Sequence, residues 1–158
     1  MAVRRLTQGT VVWRIGDPQG RYPIYSAEGA RRHEGRWHAR GQEVIYTSEH
    51  YGTAMLEMLV HYNGVPPPNQ HFIKIRIPKG VSYEVVTKDL GEGWARRDGA
   101  DSRQFGSRWI KECRSAIAYV PSVVSREENN VLINPNHEDS SQIKAGLEQP
   151  IRWDSRLY

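Results

Sequence analysis

A single cysteine, Cys113, stands among the 158 residues. One thiol cannot build an internal disulfide framework, so a reducing compartment is expected. No apolar run is long enough to cross a bilayer, and the opening MAVRRLTQGT lacks the apolar centre of a secretory signal. The expected location is the cytoplasm, with no membrane partner. Several chemical signatures are missing too. There is no Walker A, no G-x-G-x-x-G and no G-x-S-x-G. The six histidines are scattered without metal-ligand spacing. Zinc, P-loop, Rossmann and nucleophile-elbow enzymes are disfavoured on these grounds, and no metal site is expected. No internal repeat occurs, and the only low-complexity element is the triplet Pro66, Pro67, Pro68.

Five Trp and eight Tyr are present, many for this size. They suggest a core or pocket of large flat groups that can also donate hydrogen bonds. The net charge of +4 and a pI near 9.3 are moderate. Nucleic acid, small anions and an acidic protein partner are all compatible with them. The length suits one domain over residues 1–158 with a real core.

Residues 11–15, VVWRI, read as a strand with Arg14 near its end. Residues 16–37 are rich in Gly, Pro and charge and form a long loop, with a helical turn expected near residues 26–31. Residues 43–47 form a short strand. Ser48 is the expected N-cap of a helix reaching Tyr62, stopped by Gly64 and the prolines. HFIKIRI alternates as a half-buried strand does, and VSYEVV follows as another. Residues 90–100 are a loop. Phe105, Trp109 and Cys113 fall at helical spacing, so residues 102–114 form an amphipathic helix. AIAYVPSVV is strand-like, with Pro121 favouring an edge or bulge. NNVLINPNH adds a short strand ended by Asn134 and Pro135. Strands and helices are interspersed without βαβ rhythm. The fold class is therefore α+β, a mixed β-sheet core with flanking helices.

Glu57 interrupts the almost wholly apolar stretch 54–62, and His61 follows four residues later. By spacing alone the two form an ordinary i,i+4 pair on a narrow wet stripe. The sharper reading sets Glu57 at the floor of a cleft, as a base or as an anion facing developing positive charge. Arg14 and Arg36 each adjoin a Trp, the latter Trp37. Guanidinium forks grip phosphates, and a neighbouring indole can brace or stack. Gly35 and Gly41 flank a turn where backbone can approach a ligand. Tyr46 is either a core tyrosine or a stacking platform. Ser122, after Pro121, is either turn chemistry or part of a site.

The ordered set WRI, EGRWHARG, VIYTSE, AMLEMLVH, FGSRWI, AYVPSVVSREENNVLINPNH and IRWDSRLY resembles the RES domain, the toxin half of bacterial RES–Xre toxin–antitoxin pairs. The likeness spans nearly the whole chain. The family is named for an Arg, a Glu and a Ser, which map onto Arg14 or Arg36, Glu57 and Ser122. His38 departs from the Asn common after Arg-Trp, and is expected to tune the loop.

RES proteins resemble ADP-ribosyltransferases of the diphtheria-toxin kind. The resemblance implies an ADP-ribosyltransferase-like fold and NAD+ as a substrate rather than a cofactor. The expected reaction is cleavage of the nicotinamide–ribose bond, by hydrolysis or phosphorolysis. Protein ADP-ribosylation is the alternative. Glu57, Arg14 and Ser122 would be catalytic, while Arg36, Tyr46 and Trp37 would bind substrate. An Xre-family antitoxin is the implied partner, with homo-oligomers within the complex compatible and no direct nucleic-acid partner expected. A ribonuclease-type toxin and a non-catalytic binding module are the readings from other classes.

Overall fold

The computed structural model describes residues 3–90 and 93–157. Its centre is a nine-stranded sheet. The strands are β1 (Arg4–Arg5), β2 (Thr10–Gly16), β3 (Ile45–Ser48), β4 (His71–Ile77), β5 (Ser82–Val85), β6 (Ile117–Pro121), β7 (Asn129–Ile133), β8 (Lys144–Ala145) and β9 (Gln149–Pro150). They lie in the order β1-β5-β6-β7-β3-β2-β4-β8, with β9 also on β4. Among these, only β5 and β6 run parallel. Among the described residues, three α-helices flank the sheet: α1 (Glu28–Arg32), α2 (Tyr51–His61) and α3 (Ala100–Glu112). The architecture is α+β, and none of the described helices is long and apolar enough to cross a membrane.

The two faces of the sheet bury different side chains. Val12, Ile45, Ile73, Ile75, Ile77, Ile117, Val131 and Ile133 share one face. Ala118, Val120 and Leu132 point the other way, beneath Trp37, Val44 and Trp109. Strands β6 and β7 are therefore apolar at successive positions, because both faces are covered. β4 behaves differently: Ile73, Ile75 and Ile77 are buried while Lys74 and Arg76 face water. Its outer face is wet, and the period-2 signal is correspondingly clean.

α3 covers the second face. Trp109 is fully buried, and its Nε1–H donates to Ser115 Oγ at 2.8 Å. Gly106 lets the helix approach closely, since a Cβ there would lie 1.9 Å from the carbonyl oxygen of Trp37.

Three local expectations are corrected. Ser48 belongs to β3 and caps no helix; its Oγ donates across the sheet to Asn130 Oδ1, and α2 starts at Tyr51 behind His50. Pro121 is the last residue of an interior strand, not a mark of an edge, because β6 lies between β5 and β7 and simply ends there. Cys113 leaves the buried face of α3: it is the exposed cap residue, in the left-handed region at φ 51°. The loop expected at residues 90–100 includes Gly91 and Glu92, which lie outside the described residues.

Candidate active site

β2 pairs along its whole length with β4 but meets β3 only at Trp13↔Ser48. Beyond that bridge the two strands part. Arg14 spans the gap. Its Nε donates to the carbonyl of Ile24 at 2.6 Å and its Nη1 to the carbonyl of Tyr46 at 2.8 Å. Burial lowers its pKa from 12.5 to about 10, so it stays cationic at neutral pH. Its Nη2 has no hydrogen-bond partner among the described residues.

The parted strands open a cleft of about 250 Å³, walled by β2, β3, α2 and Asn130 of β7. α2 is pinned over it at its N-terminal end. Tyr51 packs on Trp13 and Phe72, with ring centroids 5.2 and 5.1 Å away. Thr53 and Ala54 are buried toward the sheet. One turn further along that stripe come Glu57 and Met58, then His61, all lining the cleft.

Glu57 Oε1 accepts from Ser122 Oγ at 2.8 Å and from Asn130 Nδ2 at 2.8 Å. Both donors are neutral, so the carboxylate is held without being neutralised. Ser122 is fully buried behind it and does not line the cleft. Its place is on Glu57, not against a ligand. The helix contributes less shelter than its composition suggests. Leu56 is 43% exposed and Val60 58%, because the apolar residues wrap around to the solvent side. On that side the helix presents apolar groups to water rather than to the carboxylate.

Tyr46 forms part of the cleft wall, while its hydroxyl is anchored away from it. The oxygen accepts from the backbone N–H of Trp37 at 3.1 Å and bonds His38 Nδ1 at 2.6 Å. His38 Nε2 lies 2.7 Å from the carbonyl of Ala30 and 2.8 Å from that of His33. Carbonyls only accept, so Nε2 carries the proton, and in the neutral ring Nδ1 accepts from Tyr46. Burial drives the phenol pKa well upward. Gly35 makes room for this arrangement, as a Cβ there would sit 2.6 Å from the Tyr46 hydroxyl. The close approach at this glycine is therefore to the protein's own side chains.

The structure brings Arg14, Tyr46 and Glu57 to one cleft, with Ser122 directly behind. It does not bring Arg36 or Trp37 there. Arg36 Nη1 donates to the carbonyls of Trp94 at 3.2 Å and Arg96 at 2.8 Å. Trp37, only 2% exposed, sits edge-on to Phe105 in the core. The stacking role expected of Trp37 is corrected accordingly: a buried indole offers no face to a ligand. Asn130 carries no local mark in the sequence. Its one signal is position, opposite Ser48 in the β3–β7 ladder. Chemically, the cleft offers one cation, one oriented anion and an aromatic wall, which suits a ligand that carries phosphate and develops positive charge.

Comparison with known proteins bears on this site. The RES domain family model matches residues 11–154. The chain belongs to the RES domain family. This RES domain is 38% identical over 155 residues to a protein of Sphingobium sp. (strain YBL2) named Prs ADP-ribosylating toxin, covering 94% of this chain and 96% of the relative. It is 32% identical over 151 residues to Toxin Res of Pseudomonas putida (strain KT2440), covering 94% and 99%. Its fold is similar to that in a crystal structure of the M. tuberculosis MbcT-MbcA toxin-antitoxin complex, with a TM-score of 0.74 at 13% identity over 93% of this chain and 86% of that one. Of the two arginines open to the family name, the one in the cleft of this RES domain is Arg14.

Proposed function

We propose that this RES domain is the toxin of a toxin–antitoxin pair and that it uses NAD+, breaking the bond between nicotinamide and ribose. The observation that carries the reading is Glu57 held by one carboxylate oxygen beside a cleft that also contains Arg14. The names of its relatives support the toxin reading and, for the Sphingobium protein, ADP-ribosyl chemistry.

The chemistry matches that inventory. Nicotinamide leaves as a neutral base, because the C–N electron pair quenches the pyridinium charge. No strong general acid is required. Positive charge grows on the ribose ring instead, as in glycoside cleavage. Glu57 lies where an anion can stabilise that charge and accept a hydrogen bond from a ribose hydroxyl. Arg14 supplies a cation for the pyrophosphate through its open Nη2. The cleft is smaller than the roughly 300–1,000 Å³ usual for a ligand pocket, which suits the nicotinamide–ribose end with the rest of the dinucleotide along the rim. The acceptor donates an electron pair to the anomeric carbon and gives up a proton. Water or phosphate would deplete NAD+. A protein side chain is the second reading, favoured by the name of the Sphingobium relative.

An antitoxin partner goes with this reading, and the resemblance suggests the Xre family. The MbcT-MbcA neighbour is itself a toxin–antitoxin complex. The deciding experiment incubates pure protein with NAD+, with and without phosphate, and identifies products by mass spectrometry. Free nicotinamide is expected, with ADP-ribose, its 1″-phosphate or a modified protein reporting the acceptor. Intact NAD+ alongside degraded RNA would overturn the reading in favour of a nuclease.

A further inference from the structure

Glu57 is held asymmetrically. Both of its neutral donors converge on Oε1. Oε2 has no partner among the described residues. A carboxylate gripped by one oxygen presents the other along a fixed direction, and the grip is only as firm as the orientation of the donors.

Each donor is itself held by a second group. Ser122 Oγ accepts from the backbone N–H of Ser125 at 3.1 Å, which leaves its own proton for Glu57. Asn130 has a less obvious problem. A half-turn of its amide would put Oδ1 where Nδ2 now stands and face an oxygen with an oxygen. The acceptor-only carboxylate of Glu57 opposes that turn, and Ser48 braces the far end. Its buried Oγ donates to Asn130 Oδ1 at 2.8 Å, so with Nδ2 on Glu57 both ends of the amide are bonded. Backbone pairing fixes the geometry, because Ser48 and Asn130 face each other across β3 and β7. Ser48 is also the sole β3 residue bridged to β2, at Trp13. The position that begins the cleft therefore also braces the amide.

We propose that Asn130 is a positioning residue for Glu57, and that the Ser48 hydroxyl braces its amide so that Glu57 Oε2 is aimed into the cleft at the reacting sugar. The proposal rests on the NAD+-cleaving reading and adds two residues to it. Neither need touch substrate.

The test is steady-state NAD+ consumption by wild type, Ser48→Ala, Asn130→Ala and the double variant, with thermal melts of each. Losing a hydrogen bond to a charged oxygen predicts that Asn130→Ala lowers kcat by about 10- to 100-fold. Losing the amide's brace predicts a drop of about 2- to 10-fold for Ser48→Ala. Both side chains line the cleft, but their bonds go to Glu57 and to each other, so KM for NAD+ should change less than kcat in either variant. Ser48→Ala should cost nothing further in the Asn130→Ala background, since no amide is left to brace. The nearly isosteric Asn130→Asp serves if Asn130→Ala does not fold; it sets a second anion against Glu57 and should lower kcat at least as far. Wild-type kcat in folded Ser48→Ala, or the same fractional loss in both backgrounds, overturns the proposal. A wild-type protein that leaves NAD+ intact overturns the underlying reading instead.

Discussion

The guanidinium of Arg14 donates to the carbonyl oxygen of Tyr46 at 2.8 Å, across the line where β2 and β3 would otherwise pair. A side chain thus replaces missing ladder bonds, and the same group sits at the cleft. Its two carbonyl partners make it a strut as well as a candidate phosphate ligand.

Arg14→Lys keeps the charge but has no planar fork to serve both carbonyls. Unfolding stability should fall by about 1–3 kcal/mol, the cost of an unpaired buried acceptor. KM for NAD+ should rise in parallel. Denaturant unfolding checks the first effect and initial rates the second. An unchanged midpoint would show that the strut bears no strain.

Glu57→Gln keeps an oxygen for Ser122 and Asn130 to bond, so the fold should persist. Turnover of NAD+ should fall by about 100-fold or more, as when a group opposing developing charge is removed. Growth inhibition in cells should be relieved. The assignment fails if the purified variant consumes NAD+ at the wild-type rate.

Gly106→Ala should prevent α3 from seating on the sheet. The added Cβ would lie 1.9 Å from a main-chain oxygen of Trp37, and neither partner is a flexible side-chain tip. A loss of about 3 kcal/mol or more is expected, at the upper end for overpacking. Circular dichroism melts would register it. Full stability would mean that the helix and the Trp37 loop can separate without cost.

Asp139 ties β5 and β1 to the turn before β8. Its Oδ2 accepts from the Ser82 N–H at 3.0 Å and from Arg5 Nη1 at 3.1 Å. Burial pushes its pKa up, but the Ser82 hydrogen bonds and the charges of Arg5 and His137 outweigh that and hold it below the ordinary value. A depressed carboxylate stabilises the fold fully above its unfolded pKa, near 4, and loses that contribution as pH falls through the folded value. Asp139→Ala should therefore be less stable by about 1–3 kcal/mol at pH 7, and the gap should narrow in acid below pH 4. A gap independent of pH from 7 down to 2 would exclude ionisation as its source.

The signals carried by sequence differed in kind. β4 was legible because its outer face is wet, giving Ile73, Ile75 and Ile77 a strict alternation. Glu57 stood out as a charge in an apolar stretch, and the resemblance supplied Ser122, which does lie within hydrogen-bonding distance. Asn130 and Ser48 were not legible, since their value comes from register between strands 82 residues apart. The start of α2 was misplaced for a related reason. A serine before a helix reads locally as a cap, but here β3 and its partner strand claim that residue first. Arg36 and Trp37 share a motif with His38, yet each is spent on holding the loop and the core together.

The single bridge at Trp13 and Ser48 has a consequence for how this architecture can diversify. Elsewhere the gap between neighbouring strands is dictated by the main chain and is indifferent to side-chain identity. Here one guanidinium is the spacer, so exchanging a few side chains along the seam would widen or narrow the mouth while the surrounding scaffold stays as it is.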